Sequence, residues 1–180
     1  MHLVRDPLPE APGREALTGT PLVIGVGNDA HRDDAAGVRA ARLVRALLWP
    51  QVRMVECEGS ATALLEAWRG EPVVIVVDAM SSGAAPGSLR RLDVSTTALP
   101  AELFRSSTHG LGLAEAVELA RSLNELPATC VIYGIEGVEF GAGTRLSYPV
   151  ECGVREAALQ ITEHILSRWG VPSPESTPAP

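Results

Sequence analysis

Three stretches of the chain, far apart in sequence, carry side chains suited to metal or proton chemistry. The first is the loop Gly25-Val26-Gly27-Asn28-Asp29-Ala30-His31-Arg32-Asp33-Asp34-Ala35-Ala36-Gly37, with adjacent carboxylates at Asp33 and Asp34. The second is Asp78, which follows the most apolar run of the chain, residues 73–77. The third is His109, in Ser106-Ser107-Thr108-His109-Gly110-Leu111-Gly112-Leu113. Two carboxylates and one imidazole from three separate loops make an O,O,N donor set. Such a set suits a divalent transition metal, with positions left open for water or substrate. A histidine at a helix start is disfavoured as imidazolium by the helix dipole, so His109 is expected in its neutral, ligating form.

Each of these residues also has a plain structural use. Of Asp33 and Asp34, one is expected to cap the following helix while the other points into a cleft. Asp78 suits a turn that opens the loop Ala79 to Pro86. His31 lies in the acidic first loop, with no independent reason to select it. His2 falls in a terminal segment, and His164 is placed on the solvent side of the last helix. The glycine-rich first loop suggests a dinucleotide turn, but the match is poor. Ala30 stands where the third glycine belongs, the helix starts late, and Asp29, Asp33 and Asp34 would repel a phosphate. No Ser-His-Asp or Cys-His signature supports a covalent nucleophile.

The periodicity of the chain says what must position these residues. Residues 22–26 are a short apolar run bounded by glycine, a buried strand. Residues 34–48 have apolar residues at Val38, Ala41, Val44, Leu47 and Leu48, which is helical spacing. Residues 52–56 alternate as a strand, and residues 62–68 form a short helix. The β-branched run 73–77 suits a central strand covered on both faces. Residues 88–94 alternate after the Pro86-Gly87 turn and read as an edge strand. Residues 111–123 are a helix with Leu113, Ala116, Val117, Ala120 and Leu123 inward. Residues 130–135 are another buried strand. The last helix covers residues 154–169, with Ala158, Ile161, Ile165 and Leu166 inward. Alternating strands and helices predict a mostly parallel sheet with helices on both faces. Ligands of such sheets bind at the carboxyl ends of the strands, where Asp34 and Asp78 fall.

At 180 residues the chain suits one domain. We expect it to span residues 20–170, between a tail at 1–19 and a Pro-rich tail at 171–180. A net charge of −7 argues against nucleic acid and anionic membrane as partners. Cys57, Cys130 and Cys152 have neither disulfide nor zinc spacing, so free thiols are expected. No run approaches the ~20 apolar residues of a membrane span, and no secretory signal opens the chain, so a cytoplasmic protein is expected.

Taken in order, these motifs resemble the hydrogenase-maturation endopeptidases, which trim the C-terminal tail from the large subunit of nickel–iron hydrogenases. Gly25-Val26-Gly27-Asn28 with Asp33-Asp34 and Gly37 resembles the family's first motif, Val76-Val77-Asp78-Ala79 its second, and Thr108-His109-Gly110-Leu111 its third. Pro86-Gly87, Gly134-Ile135 and the stretch 146–154 fit as well. The resemblance covers about residues 21–169. It implies an α/β protein, a three-layer α/β/α sandwich on a five-stranded, mostly parallel sheet with one antiparallel strand. It also implies that Asp34, Asp78 and His109 recognise nickel, which is supplied by the substrate rather than held as a resident cofactor. The partner would be a hydrogenase large-subunit precursor. Cleavage would proceed through a metal-polarised carbonyl or water, or with Asp34 or Asp78 as general base. A non-catalytic maturation chaperone of the same fold is the alternative. The sequence departs from the family after the second strand, with Glu56-Cys57-Glu58-Gly59-Ser60, and after Gly134-Ile135, with Glu136-Gly137.

Overall fold

The structure is a computed structural model that describes residues 20–100 and 112–169. Five strands and four helices follow in the order β1 (Leu22–Val26), α1 (Ala36–Leu48), β2 (Arg53–Cys57), α2 (Ala61–Trp68), β3 (Val73–Met80), β4 (Leu89–Asp93), α3 (Leu113–Ser122), β5 (Thr129–Glu136) and α4 (Tyr148–Trp169). A 3-10 turn, Arg32–Ala35, precedes α1. The strands lie in the order β2-β1-β3-β5-β4. All neighbours pair in parallel except β4, which runs antiparallel to β5 at the edge.

The apolar run in β3 follows from its place in the middle. Val74, Val76 and Met80 pack with α2 and α3 on one face of the sheet, together with Leu64, Trp68 and Val117. Ile75, Val77 and Ala79 pack with α1 and α4 on the other, together with Val44, Ile161 and Ile165. Both faces are dry, so alternation disappears from the sequence. The expected three-layer α/β/α sandwich, with one antiparallel edge strand, is the observed fold.

Several boundaries differ from the sequence reading. The first helix opens as a 3-10 turn, so regular α structure starts at Ala36 rather than Asp34. Leu47 is 48% exposed while Leu48 is buried, because successive helical residues point about 100° apart and only one can meet the sheet. Leu123 lies past the end of α3, where Asn124 turns with positive φ, and it is exposed. β3 runs on to Met80 because Asp78, Ala79 and Met80 still pair with Gly134, Ile135 and Glu136. α4 begins at Tyr148 instead of residue 154, with Pro149 in the first turn, where its missing N–H costs nothing. The proposed terminal tails lie outside the described residues.

The contact of α1 with the sheet depends on glycine. A Cβ on Gly37 would sit 2.2 Å from the Val77 carbonyl oxygen and 2.4 Å from that of Val26. The first turn of α1 therefore rests directly on the carboxyl ends of β1 and β3. Gly27, at φ 130°, passes under the Asp34 carbonyl, where a Cβ would come within 1.8 Å. We expect Gly37→Ala to destabilise the protein by about 3 kcal/mol or more, since backbone atoms must move to admit the methyl group. Gly70→Ala, with open space around it and strain only from φ, should cost about 1–2 kcal/mol. Thermal melts of the two variants check the contrast. Equal melting temperatures would contradict it.

Candidate functional site

The strand order creates a switch point. From β1 the chain crosses through α1 to β2 on one face, then returns through α2 on the other face to β3, past β1. The connections diverge at the carboxyl ends of β1 and β3, which opens a crevice there. The pairing of Gly25 with Val77 puts the end of β1 level with Asp78.

Asp78 is the residue at that level on β3, inside the strand rather than in the turn expected from sequence. It is 8% exposed. Burial pushes its carboxyl up, the Asp34 charge pushes it further, and the Ala79 N–H opposes both, leaving it at about 8. Asp34 reaches the same place from the 3-10 turn. Burial raises its pKa, opposed by the Asn28 backbone N–H, which donates to Asp34 Oδ2 at 2.9 Å, and by His31. Near neutral pH Asp78 keeps its proton beside the Asp34 charge. Such a pair can accept a divalent cation through its oxygens, or take a proton from water.

Asp33 does not cap α1, contrary to one of the two roles expected for the aspartate pair. No side chain caps that helix at Ala35. Asp33 is 0% exposed and accepts hydrogen bonds from the backbone N–H groups of Val138, Glu139 and Ser147 at 3.0, 2.8 and 2.7 Å. The Ser147 hydroxyl adds a fourth at 2.9 Å. Burial pushes this carboxyl up, but the four donors outweigh it and hold it below the usual carboxylate range. Asp33 thereby ties the 3-10 turn to the loop between β5 and α4. Arg32 pairs with Glu139 of that loop, and the backbone of His31 bridges to Gly143.

His109 lies outside the described residues, as does His2. Among the described residues no group of three His, Cys, Asp or Glu side chains is placed to hold a metal ion. His31 is exposed at the rim, close enough for its charge to act on Asp34. His164 is not on the solvent side of α4. It is half-buried, with Nδ1 3.2 Å from the Tyr133 hydroxyl and Nε2 3.4 Å from Arg91. Burial lowers its pKa to about 4, so it is a neutral part of the packing under α4.

Two nearby residues gave no clear signal in sequence. Cys57 ends β2 beside the crevice, and burial pushes its thiol up; a Gly59 N–H opposes this, and the Asp78 and Glu58 charges add to it. It is therefore a neutral thiol. Glu136 ends β5 in full burial and is held by the chain that follows β3. Only their places at strand ends pointed to them. The three cysteines are free, as expected. No helix among the described residues is long and apolar enough to cross a membrane.

Two outcomes follow from these carboxylates. Asp33→Ala leaves three backbone N–H groups and a hydroxyl without their acceptor, at about 1–3 kcal/mol for an unsatisfied buried group. We expect a loss of about 3 kcal/mol or more, with faster amide exchange at Val138, Glu139 and Ser147. Protection of those amides at wild-type level would contradict the anchoring role. For Asp78, the folded pKa of about 8 lies far above the unfolded value near 3.9. Between those values the folded state keeps a proton that the unfolded state releases, so stability falls as pH rises. Asp78→Asn should flatten the stability profile between about pH 4 and 8 and raise the melting temperature at pH 8 by at least about 2–4 °C, the equivalent of about 1 kcal/mol. Parallel profiles of variant and wild type would exclude the buried proton.

Comparison with known proteins agrees with this fold. The hydrogenase maturation protease family, HycI, matches residues 39–164, which include Asp78 and His109 but stop short of Asp34. The hydrogenase expression/formation protein HupD of Thiocapsa roseopersicina is 27% identical over 129 residues. That match takes in 69% of this chain and spans 58% of the HupD protein. HupM of Azotobacter chroococcum is 29% identical over 153 residues, covering 83% of this chain and 73% of HupM. Among solved structures, the hydrogenase maturating endopeptidase HybD from E. coli superposes with a TM-score of 0.65 at 26% identity, over 83% of this chain and 93% of that one. The [NiFe] hydrogenase maturation protease HybD from Thermococcus kodakarensis gives 0.64 at 26% identity, over 82% and 99%. The family match covers well over half of the chain, and on it we conclude that this chain belongs to the hydrogenase maturation protease family.

Proposed function

We propose that the protein is an endopeptidase that removes the C-terminal extension of a nickel–iron hydrogenase large-subunit precursor after nickel insertion. The observation that carries this reading is the Asp34–Asp78 pair, brought together at the β1–β3 crevice in a chain of this family. The pair has oxygen donors, a negative charge and no cationic side chain hydrogen-bonded to either carboxylate among the described residues. A metal arriving with the precursor would meet both carboxylates, and the nickel is cargo of the substrate rather than a resident cofactor.

His109 completes the donor set on this reading. It precedes Gly112, where α3 is capped, by three residues, at most about 11 Å of extended chain. The last turn of α3 is fixed at the opposite end of the sheet, where Arg121 donates to the carbonyls of Val94 and Thr97. The start of the helix is therefore turned toward the carboxyl edge. Asp34 or Asp78 would also serve as general base toward the attacking water once the metal is seated.

The test is a processing assay. Purified protein is incubated with nickel-loaded and nickel-free precursor, and the product is weighed by mass spectrometry. Wild type should trim only the loaded form. Asp34→Asn, Asp78→Asn and His109→Ala should each slow trimming by about 10²-fold or more, the usual scale for loss of an acid–base or metal-contacting group. Normal trimming by all three variants would sink the proposed site. Binding of loaded precursor by wild type without cleavage would point to the non-catalytic chaperone instead.

A further inference from the structure

Glu136 is 2% exposed, and no cation pairs with it among the described residues. All of its bonds go to the segment that follows β3. Its Oε1 accepts the backbone N–H groups of Ser82 and Gly83, both at 2.8 Å, and its Oε2 accepts the Ser82 hydroxyl at 2.8 Å. Its own carbonyl accepts from the Gly87 N–H at 2.7 Å, and its N–H donates to the Ser88 carbonyl at 2.9 Å. One residue thus holds both ends of the loop. Gly87 in turn packs against the start of α4, where a Cβ would sit 2.1 Å from the Pro149 carbonyl oxygen. The tip between these ends, Ser81-Ser82-Gly83-Ala84-Ala85-Pro86, is exposed, small and free of charge.

The position of this tip is what gives it a role. It begins three residues after Asp78, at most about 10 Å of extended chain. A standard protein interface takes about 800 Å² from each partner, a disc of roughly 16 Å radius. A folded partner whose contact patch is centred on Asp78 therefore covers the tip as well. A loop already held in one shape loses no freedom when the partner lands on it.

We infer that Glu136 is a positioning residue that holds residues 81–86 as a preformed contact surface for the body of the precursor. The inference rests on the reading that this chain processes such a precursor. The loop's small, neutral residues let the partner approach close to the backbone, while the carboxylates of the crevice handle the metal. Loss of the anchor raises the cost of docking and leaves the chemical step as it is.

Steady-state kinetics on nickel-loaded precursor test this, with melting temperatures measured alongside. Glu136→Ala should raise KM about tenfold, the equivalent of about 1.4 kcal/mol, with kcat unchanged. Glu136→Gln should restore wild-type KM, because its carbonyl oxygen can still accept both N–H groups and its amide can donate to the Ser82 hydroxyl. Ala84→Trp, at an exposed position that leaves the fold alone, should also raise KM, and it decides the matter if Glu136→Ala does not fold. A lower melting temperature with wild-type KM in Glu136→Ala, or wild-type KM in Ala84→Trp, overturns the inference. So does a fall in kcat at constant KM. Failure of the wild type to trim loaded precursor would instead defeat the proposed function, and the two failures are separate observations.

Discussion

Asp33 is a carboxylate with no exposed surface and no cation against it among the described residues; three backbone N–H groups and a hydroxyl satisfy it instead. A buried charge is tolerated only when its hydrogen bonds are complete. These four bonds therefore fix two segments at once: the loop before α4 and the 3-10 turn that holds Asp33 itself. The next residue in that turn is Asp34. With about three residues per turn, neighbours in a 3-10 turn point in very different directions. When Asp33 is locked toward the loop, Asp34 is left facing the crevice and Asp78.

The glycines of the first loop act on the same geometry from below. Gly37 lets the backbone of α1 settle on the carbonyl ends of β1 and β3, and Gly27 lets the chain pass beneath Asp34. In a dinucleotide fold similar glycines expose N–H groups to a phosphate. Here they allow close packing, and the Asn28 N–H is given to the Asp34 carboxylate. Asp29 does not contribute charge to the crevice, because Arg39 and Arg42 hold it, and Arg42 also holds Glu56.

Residues in regular elements were legible because periodicity records burial directly. The β-branched run in β3 could only be a central strand, and the polar alternation near residue 90 only an edge. The rule that ligands bind at the carboxyl ends of parallel strands then placed Asp34 and Asp78 on one edge of the sheet from sequence alone. The division of labour between Asp33 and Asp34 was not legible, because it depends on donors more than 100 residues away in sequence. His164 was misplaced for a related reason. An imidazole serves equally on a wet or a dry face, and only its contacts with Tyr133 and Arg91 decide which. Glu136 looked like the polar end of a strand, since sequence does not show that a loop folds back over it.

Asp33, Asp34, Asp78 and Glu136 together make an edge of the sheet built on acids. Asp33 and Glu136 receive N–H and O–H donors, which stabilise them without introducing positive charge into the crevice. A lysine or arginine doing the same anchoring would repel an incoming cation at short range. Asp34 keeps one backbone donor, and Asp78 avoids the cost of a second buried anion by holding its proton. A divalent cation reverses that balance, since it favours the ionised form of any carboxylate it touches. On the proposed reading, the site carries little charge in the free protein, and it reaches its full charge only against a metal. Selectivity for loaded precursor would then arise from the same buried carboxyl that lowers the stability of the free protein as pH rises.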